Sequence, residues 1–439
     1  MENPFSSYRQ FNHSFQEEFK TLSKEFPLAF ELLECQLRLL RTNHLSPLKH
    51  NLLRYSQPGI SKSIYYVFIS FYLFVLKLIP YQIFHRPASY ISLGRFRDLA
   101  SLIQLELNEK NYKIICDINK KQLFQNFMSS RISFLPAVFC SFKMTRIFKT
   151  ISKKGLEQSI EDRQLMDELE REALKLIERA KSLIYILNLQ IIIADNEWKP
   201  DQKILLHAAK KVGCKYFVLA HGFVAQNELV TICPVNADAL IVWTKDQQKF
   251  ISSCLNKMES GKVKYFGWPF SIKRYETRNS IRPLFILTDL HSEMINPSML
   301  DPTIQAFEIL KKEYPKIILR PHPISFRLMK DQKFAEHKFT TFLKENLSYF
   351  SEHDSVENDF KRCKFVIGNG SSVLLEAEVN GIPAFQLAQA KNEYFFPIPE
   401  IKNEELHEFR KFQSAPSQSN DSLVDKNNIK RLIEFLTQA

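Results

Sequence analysis

Two adjacent serines stand behind a glycine in FVIGNGSSVLLEAEV, Phe365 to Val379, between a short apolar run and a helical pattern. The chain has only 10 glycines, so Gly368 and Gly370 mark a place where the backbone must turn sharply. Ser371 or Ser372 can cap the helix that follows, and Asn380-Gly381 can end it. A helix start behind a buried strand presents free N–H groups and the positive end of the helix dipole, a setting that attracts anions. Glu376 lies about one turn further in, where a carboxylate could accept hydrogen bonds from a ribose. A well-capped turn with no ligand fits the same residues.

Other chemistry-bearing residues fall at the ends of other apolar runs. Arg320-Pro321-His322-Pro323 closes KIILRPHP, and the two prolines stiffen the backbone around a histidine and an arginine suited to phosphate. Asp289 ends LFILTD, with His291 and Ser292 just beyond. Nearer the N-terminus, Asp195 and Glu197 follow QIIIA, and His221-Gly222 follows KYFVLA. A histidine titrates near neutrality and a carboxylate can also take a proton, so His221, Asp195 and Glu197 are all candidate general bases. Each also has a bland reading as a hydrogen-bonded structural group or a helix cap.

Open parallel sheets place such loops at one edge. From Gln190 onward, apolar runs alternate with amphipathic stretches: QIIIA, PDQKILLHAAKKVG, KYFVLA, ALIVW, a helix from about Lys245, KVKYFG. After a polar linker, Ser271 to Pro283, the alternation restarts with LFILTD, a helix capped by Asp301, and KIILR. LSYFS reads as a short strand, and Asp354 as the cap of HDSVENDFKRC. Strand candidates also lie at YISL, YKIICDIN and RISFLPAVF, ahead of a long charged helix from about Gly155 to Leu187. Continuous apolar strands between amphipathic helices predict parallel sheets covered on both faces. The expected fold class is therefore α/β: two tandem Rossmann-like, doubly wound parallel sheets behind a helical N-terminal region. The expected divisions are residues 1–88, helical; 89–275, a first Rossmann-like, acceptor-side domain; and 276–439, a second that binds the nucleotide.

Composition narrows the partners. A chain of 439 residues exceeds one ordinary core. A net charge of +12 favours anionic partners such as nucleotides, phosphorylated sugars or an anionic membrane. Nucleic acid is disfavoured, because no basic run interleaved with aromatics and no zinc-finger pattern occurs. The seven cysteines form no C-x-x-C pair, which points to a reducing, cytoplasmic compartment without structural zinc. No basic-then-apolar leader opens MENPFSSYRQFNHSF. Ser63 to Phe84 is strongly apolar, but Lys77 and Pro80 interrupt it before the ~20 residues a span needs. A buried helix is the first expectation for it. A peripheral contact at the inner face of the plasma membrane is the second.

Taken together, H-G after a strand, A-D-A-L-I-V-W, G-W-P, R-P-H-P and G-N-G-S-S…E-A…G-I-P resemble bacterial capsule and surface-polysaccharide glycosyltransferases of GT-B architecture. Polysialyltransferase- and Kdo-transferase-like enzymes are similar, as are the CDP-glycerol glycerophosphotransferases. The resemblance spans about Gln190 to Leu387. It implies transfer of a sugar from a nucleotide-activated donor, CMP-linked by preference, to a glycan or lipid-linked saccharide. It puts His322, Ser371 and Ser372 on the nucleotide phosphate and Glu376 on the ribose. Arg320, Gly370 and Asp289 complete the expected nucleotide site. The acidic D/E-D/E-G motif is replaced by Asp195-Asn196-Glu197, while His221 matches the histidine of the glycerophosphotransferases, so the base stays open with His221 preferred. No D-x-D motif occurs in a suitable loop, so neither metal nor cofactor is expected beyond the donor. Three rivals share the fold: a UDP-N-acetylglucosamine 2-epimerase, a polyol-phosphate transferase and a non-catalytic scaffold. The single glycine of Leu93-Gly94-Arg95 disfavours the epimerase, which has a glycine-rich loop there.

Overall fold

The computed structural model describes residues 4–41, 88–92, 97–116, 141–220, 229–232, 234–267, 282–287, 290, 299–353, 355–369, 371–388, 398–406 and 428–438. The apolar segment Ser63–Phe84, the strand candidate Arg131–Phe139, and His221, Asp289, Asp354 and Gly370 lie outside these residues.

Among the described residues, eleven strands form two wholly parallel sheets. The first contains β1 (Ala88–Ser92), β2 (Lys113–Cys116), β3 (Leu189–Ala194), β4 (Lys215–Leu219), β5 (Ala239–Val242) and β6 (Val263–Tyr265), in the order β2-β1-β3-β4-β5-β6. The second contains β7 (Arg282–Ile286), β8 (Ile318–Arg320), β9 (Cys363–Gly368), β10 (Ala384–Leu387) and β11 (Glu400–Ile401), in the order β11-β10-β9-β7-β8.

Both faces of each sheet are covered, which is why the strands read as unbroken apolar runs. In the first sheet Ile192, Tyr216 and Val242 pack under the helices Arg163–Ile186, Pro200–Val212 and Lys245–Cys254. Their neighbours Ile193, Phe217 and Ile241 point to the other face, against Ile103 and Leu107 of helix Arg97–Glu109. In the second sheet Phe285, Phe365 and Phe385 face helices Leu300–Glu313 and Lys338–Glu345, while Leu284, Val366 and Ala384 face helix Ser372–Val379.

The helices Pro4–Glu18 and Pro27–Arg41 do not stand apart. Phe15, Leu32, Leu33 and Leu37 share a core with the first sheet. Glu31 Oε2 lies 2.6 Å from His207 Nε2, and Glu170 Oε2 accepts from the Ala29 N–H at 2.7 Å. The last helix, Asn428–Gln438, also packs on the first sheet: Leu432, Ile433 and Leu436 join its second face, and Phe435 meets Phe217 and Phe266. The chain therefore returns from the second sheet to the first.

Local readings differ at several points. Asp301 does not cap helix Leu300–Glu313; it lies in the first turn and binds Lys338 Nζ at 2.7 Å. LSYFS forms a 3-10 turn, Leu347–Tyr349, and Phe350 alone bridges to Leu319. Ser355 caps helix Val356–Phe360, accepting from the Glu357 N–H. The charged stretch after Gly155 is two helices, Leu156–Glu161 and Arg163–Ile186, separated by Asp162, which caps the second.

Candidate functional site

In the second sheet, β7 and β9 are neighbours although β8 lies between them in sequence. Connections leave these two strands to opposite sides, and the crevice beyond their carboxyl ends is where such sheets take ligands. Gly368 closes β9 at this point. A Cβ there would meet the Ile286 carbonyl oxygen at 2.3 Å, so only glycine lets the two backbones approach. Asn369 is fully buried and donates from Nδ2 to Thr303 Oγ1 at 3.0 Å, pinning the turn to helix Leu300–Glu313. Ser371 Oγ then accepts from the Val373 N–H at 3.3 Å and caps helix Ser372–Val379. Ser372 is exposed and Glu376 half-buried on that helix. Gly381, at φ +81°, ends it. The buried glutamate is Glu378, whose carboxyl burial pushes up while the Ala384 N–H opposes the shift.

His322 is exposed beyond β8, and its carbonyl accepts from the Ser325 N–H at 2.8 Å. Arg320 turns elsewhere. Its Nη1 donates to Asp359 Oδ2 at 2.6 Å and to the His353 carbonyl at 2.9 Å, and Asp359 also accepts from Ser351 Oγ. The Asp359 side chain is 1% exposed, so losing Arg320 would strand a buried charge. Arg320 thus holds this network together through Nη1.

The first sheet has its own crossing point, between β1 and β3, and Asp195, Asn196 and Glu197 follow β3 there. Glu197 is buried. Its two oxygens accept from the Asn236 N–H at 2.8 Å and the Ala237 N–H at 2.6 Å, tying this turn to the approach of β5. Burial pushes its carboxyl up; Lys203 and the two N–H groups oppose. Glu197 therefore ties this loop to the approach of β5 through both carboxylate oxygens. Asp195 is half-buried and accepts from Asn196 Nδ2. Asp201, in the first turn of helix Pro200–Val212, is also pushed up by burial, against Lys199, with Asp195 adding to the rise. Tyr216 braces the same turn, its hydroxyl donating to Gln202 Oε1 at 2.6 Å and lying 3.3 Å from the Asn196 carbonyl. Trp243 Nε1 donates to the Ala220 carbonyl at 2.7 Å, fixing the residue before His221.

The structure thus brings Ser371, Ser372 and Glu376 to one helix beside the second crossing point, with His322 beyond the strand next but one. It leaves Asp195 at the first crossing point. Thr303 and Asp201 are not singled out by the sequence, because a helical hydroxyl or a first-turn carboxylate looks like any other polar residue there. Among the described residues, no group of His, Cys, Asp and Glu could hold a metal ion, and no helix is long and apolar enough to cross a membrane.

The chain is an α/β protein of two tandem, doubly wound parallel sheets, the GT-B arrangement. No protein-family model matches it, and no curated protein matches its sequence. Solved structures similar to it include the UDP-GlcNAc 2-epimerase of Methanocaldococcus jannaschii, at 11% identity and TM-score 0.48, over 80% of this chain and 100% of that one. The lipopolysaccharide outer core galactosyltransferase WaaB, apo form, overlaps at 11% identity and TM-score 0.46, over 80% of this chain and 99% of that one. The wall teichoic acid polymerase TagF overlaps at 12% identity and TM-score 0.42, over 86% of this chain and 96% of that one. The fold stands on the strand order itself.

Proposed function

We propose that the chain is a glycosyltransferase of surface-polysaccharide synthesis, capsule or lipopolysaccharide type. It takes a nucleotide-linked sugar, CMP-linked by preference, and passes the sugar to a glycan or lipid-linked saccharide. The observation that carries this reading is the serine-capped start of helix Ser372–Val379, set at the carboxyl edge of β9 beside the crossing point of the second sheet. The donor phosphate lies on the N–H groups and hydroxyls of Ser371 and Ser372, with His322 approaching from beyond β8 and Glu376 toward the ribose.

The reaction is one displacement at the anomeric carbon. An acceptor hydroxyl oxygen bonds to that carbon as the bond to the donor phosphate oxygen breaks, inverting the centre. The hydroxyl proton passes to His221, with Asp195 and Glu197 as the other candidates. The charge left on the nucleotide phosphate is met by the helix start and His322 rather than by a metal ion. The acceptor side is the first sheet, and the segment Ser63–Phe84 is the place for a peripheral contact with the inner face of the plasma membrane.

Calorimetric titration of the full chain with CMP, CDP, UDP, GDP and dTDP tests the reading. Binding of CMP or CDP in the micromolar range is expected. A folded sample that binds none of the five overturns it.

A further inference from the structure

The buried amide of Gln386 is left over from the site just described. Gln386 is 1% exposed, and among the described residues neither its Oε1 nor its Nε2 has a hydrogen-bond partner. An unmet buried amide costs about 1–3 kcal/mol. A strand residue that only filled the core would be apolar, as Ala384, Phe385 and Leu387 around it are.

Its direction follows from the pleat. Successive side chains on a strand point to opposite faces. Phe385 and Leu387 join the core on one face of the second sheet; Ala384 joins the other, with Leu374 and Leu375 of helix Ser372–Val379. Gln386 therefore points to the helix side. Its register partner on β9 is Gly368, which has no side chain to fill the neighbouring position. That pair is the last on the ladder, at the edge where Ser371 begins the helix. A fully buried amide thus lies under the first turn of the helix whose start is the proposed phosphate site.

The kind of group it would meet follows from its chemistry. A phosphate oxygen only accepts, and would satisfy Nε2 alone. An amide with both its donor and its acceptor unmet matches a group that both accepts and donates, which is a hydroxyl. We propose that Gln386 is a donor-recognition residue whose amide takes a hydroxyl of the nucleotide-linked donor, on its ribose or on the sugar to be transferred, next to the phosphate at Ser371 and Ser372. This rests on the glycosyltransferase reading above. The hydroxyl reaches the amide when the first helical turn shifts, against the 3.3 Å cap of Ser371, the Leu374 N–H bond to the Ser371 carbonyl at 3.0 Å and the packing of the buried Leu374 and Leu375.

Gln386→Leu tests it, because the change keeps the volume and removes the amide. Calorimetry would compare wild type and variant on CMP, 2′-deoxy-CMP, UDP, 2′-deoxy-UDP and UDP-GlcNAc, alongside a thermal melt. The expected result is binding about tenfold weaker in the variant, with a melting midpoint equal to or above that of wild type, since an unmet buried group is gone. Weakening on CMP or UDP that is absent on the 2′-deoxy forms places the hydroxyl on the ribose; weakening on UDP-GlcNAc alone places it on the sugar. Wild-type binding that Gln386→Leu leaves within twofold for every probe overturns this inference and leaves the functional reading standing. No binding by wild type overturns both. Should the leucine variant fail to fold, Gln386→Met carries the same comparison.

Discussion

Asn428 lies against the α-carbon of Gly267: a Cβ at Gly267 would sit 2.4 Å from Asn428 Nδ2. Gly267 follows β6 as the chain leaves the first sheet, and Asn428 opens the helix by which it returns. The departing and returning segments thus meet here, beside the packing of Phe266 on Phe435. Gly267 has φ +86°, a conformation that side-chain-bearing residues avoid.

Gly267→Ala is expected to destabilise the protein by about 1–3 kcal/mol from backbone strain, with the collision added. Adding Asn428→Ala should recover the collision but not the strain. Denaturant unfolding of the two variants checks this; full recovery in the double variant would mean that φ plays no part.

Leu432→Ala removes a fully packed side chain from between the returning helix and the first sheet. A loss of about 2–5 kcal/mol is expected. A loss under 1 kcal/mol would show that the helix contributes little to that core.

Gly368→Ala places a methyl group on the Ile286 carbonyl and must push β7 and β9 apart. A loss of about 1–3 kcal/mol or more is expected, as for overpacked cores. Unlike Gly267→Ala, it should also weaken nucleotide binding, because the turn carrying Ser371 springs from Gly368. Equal affinity in both variants would detach the crossing point from the site.

The free thiols Cys35, Cys214, Cys254 and Cys363 are buried, and burial, the largest influence, pushes Cys35, Cys214 and Cys363 up to about 12. At pH 8 in native buffer all four should stay unmodified by iodoacetamide over an hour, and all should react in denaturant. Rapid native labelling of any one, read by mass spectrometry, would contradict the packing around it.

The Glu31–His207 contact ties the N-terminal helices to the first sheet. Burial would raise the Glu31 carboxyl, but His207, through its hydrogen bond and charge, together with Lys203 and Lys210, holds it below its ordinary value of 4.5. A depressed carboxylate contributes stability that is present above that ordinary value and is lost as pH falls through the folded one. His207→Ala should therefore flatten the acid limb of the stability profile below about pH 4.5. An unchanged limb would remove His207 as the cause.

Much of this was legible because parallel strands buried on both faces must be unbroken apolar runs, as in QIIIA and KYFVL. The turn at Gly368 to Ser372 was legible for the same kind of reason: only certain residues can make it. Partners were not legible. Nothing local to Arg320 or Glu197 shows that Asp359, or the Asn236 and Ala237 N–H groups, will bind them. The amphipathic pattern of Asn428–Gln438 says that one face is buried, not which sheet covers it. LSYFS has strand composition, yet it follows helix Lys338–Glu345 so closely that only its end, Phe350 and Ser351, reaches the edge of β8.

The central claim is that the donor nucleotide sits at the crossing point of the second sheet. Ser372→Ala, His322→Ala and Asp195→Asn, each titrated with CMP and CDP beside wild type, test it most directly. The account predicts that Ser372→Ala and His322→Ala each weaken binding by about tenfold, the scale of one lost hydrogen bond to a charged group, while Asp195→Asn, on the other sheet, leaves it unchanged. Weakening by Asp195→Asn alone, with Ser372→Ala and His322→Ala at wild-type affinity, would contradict it.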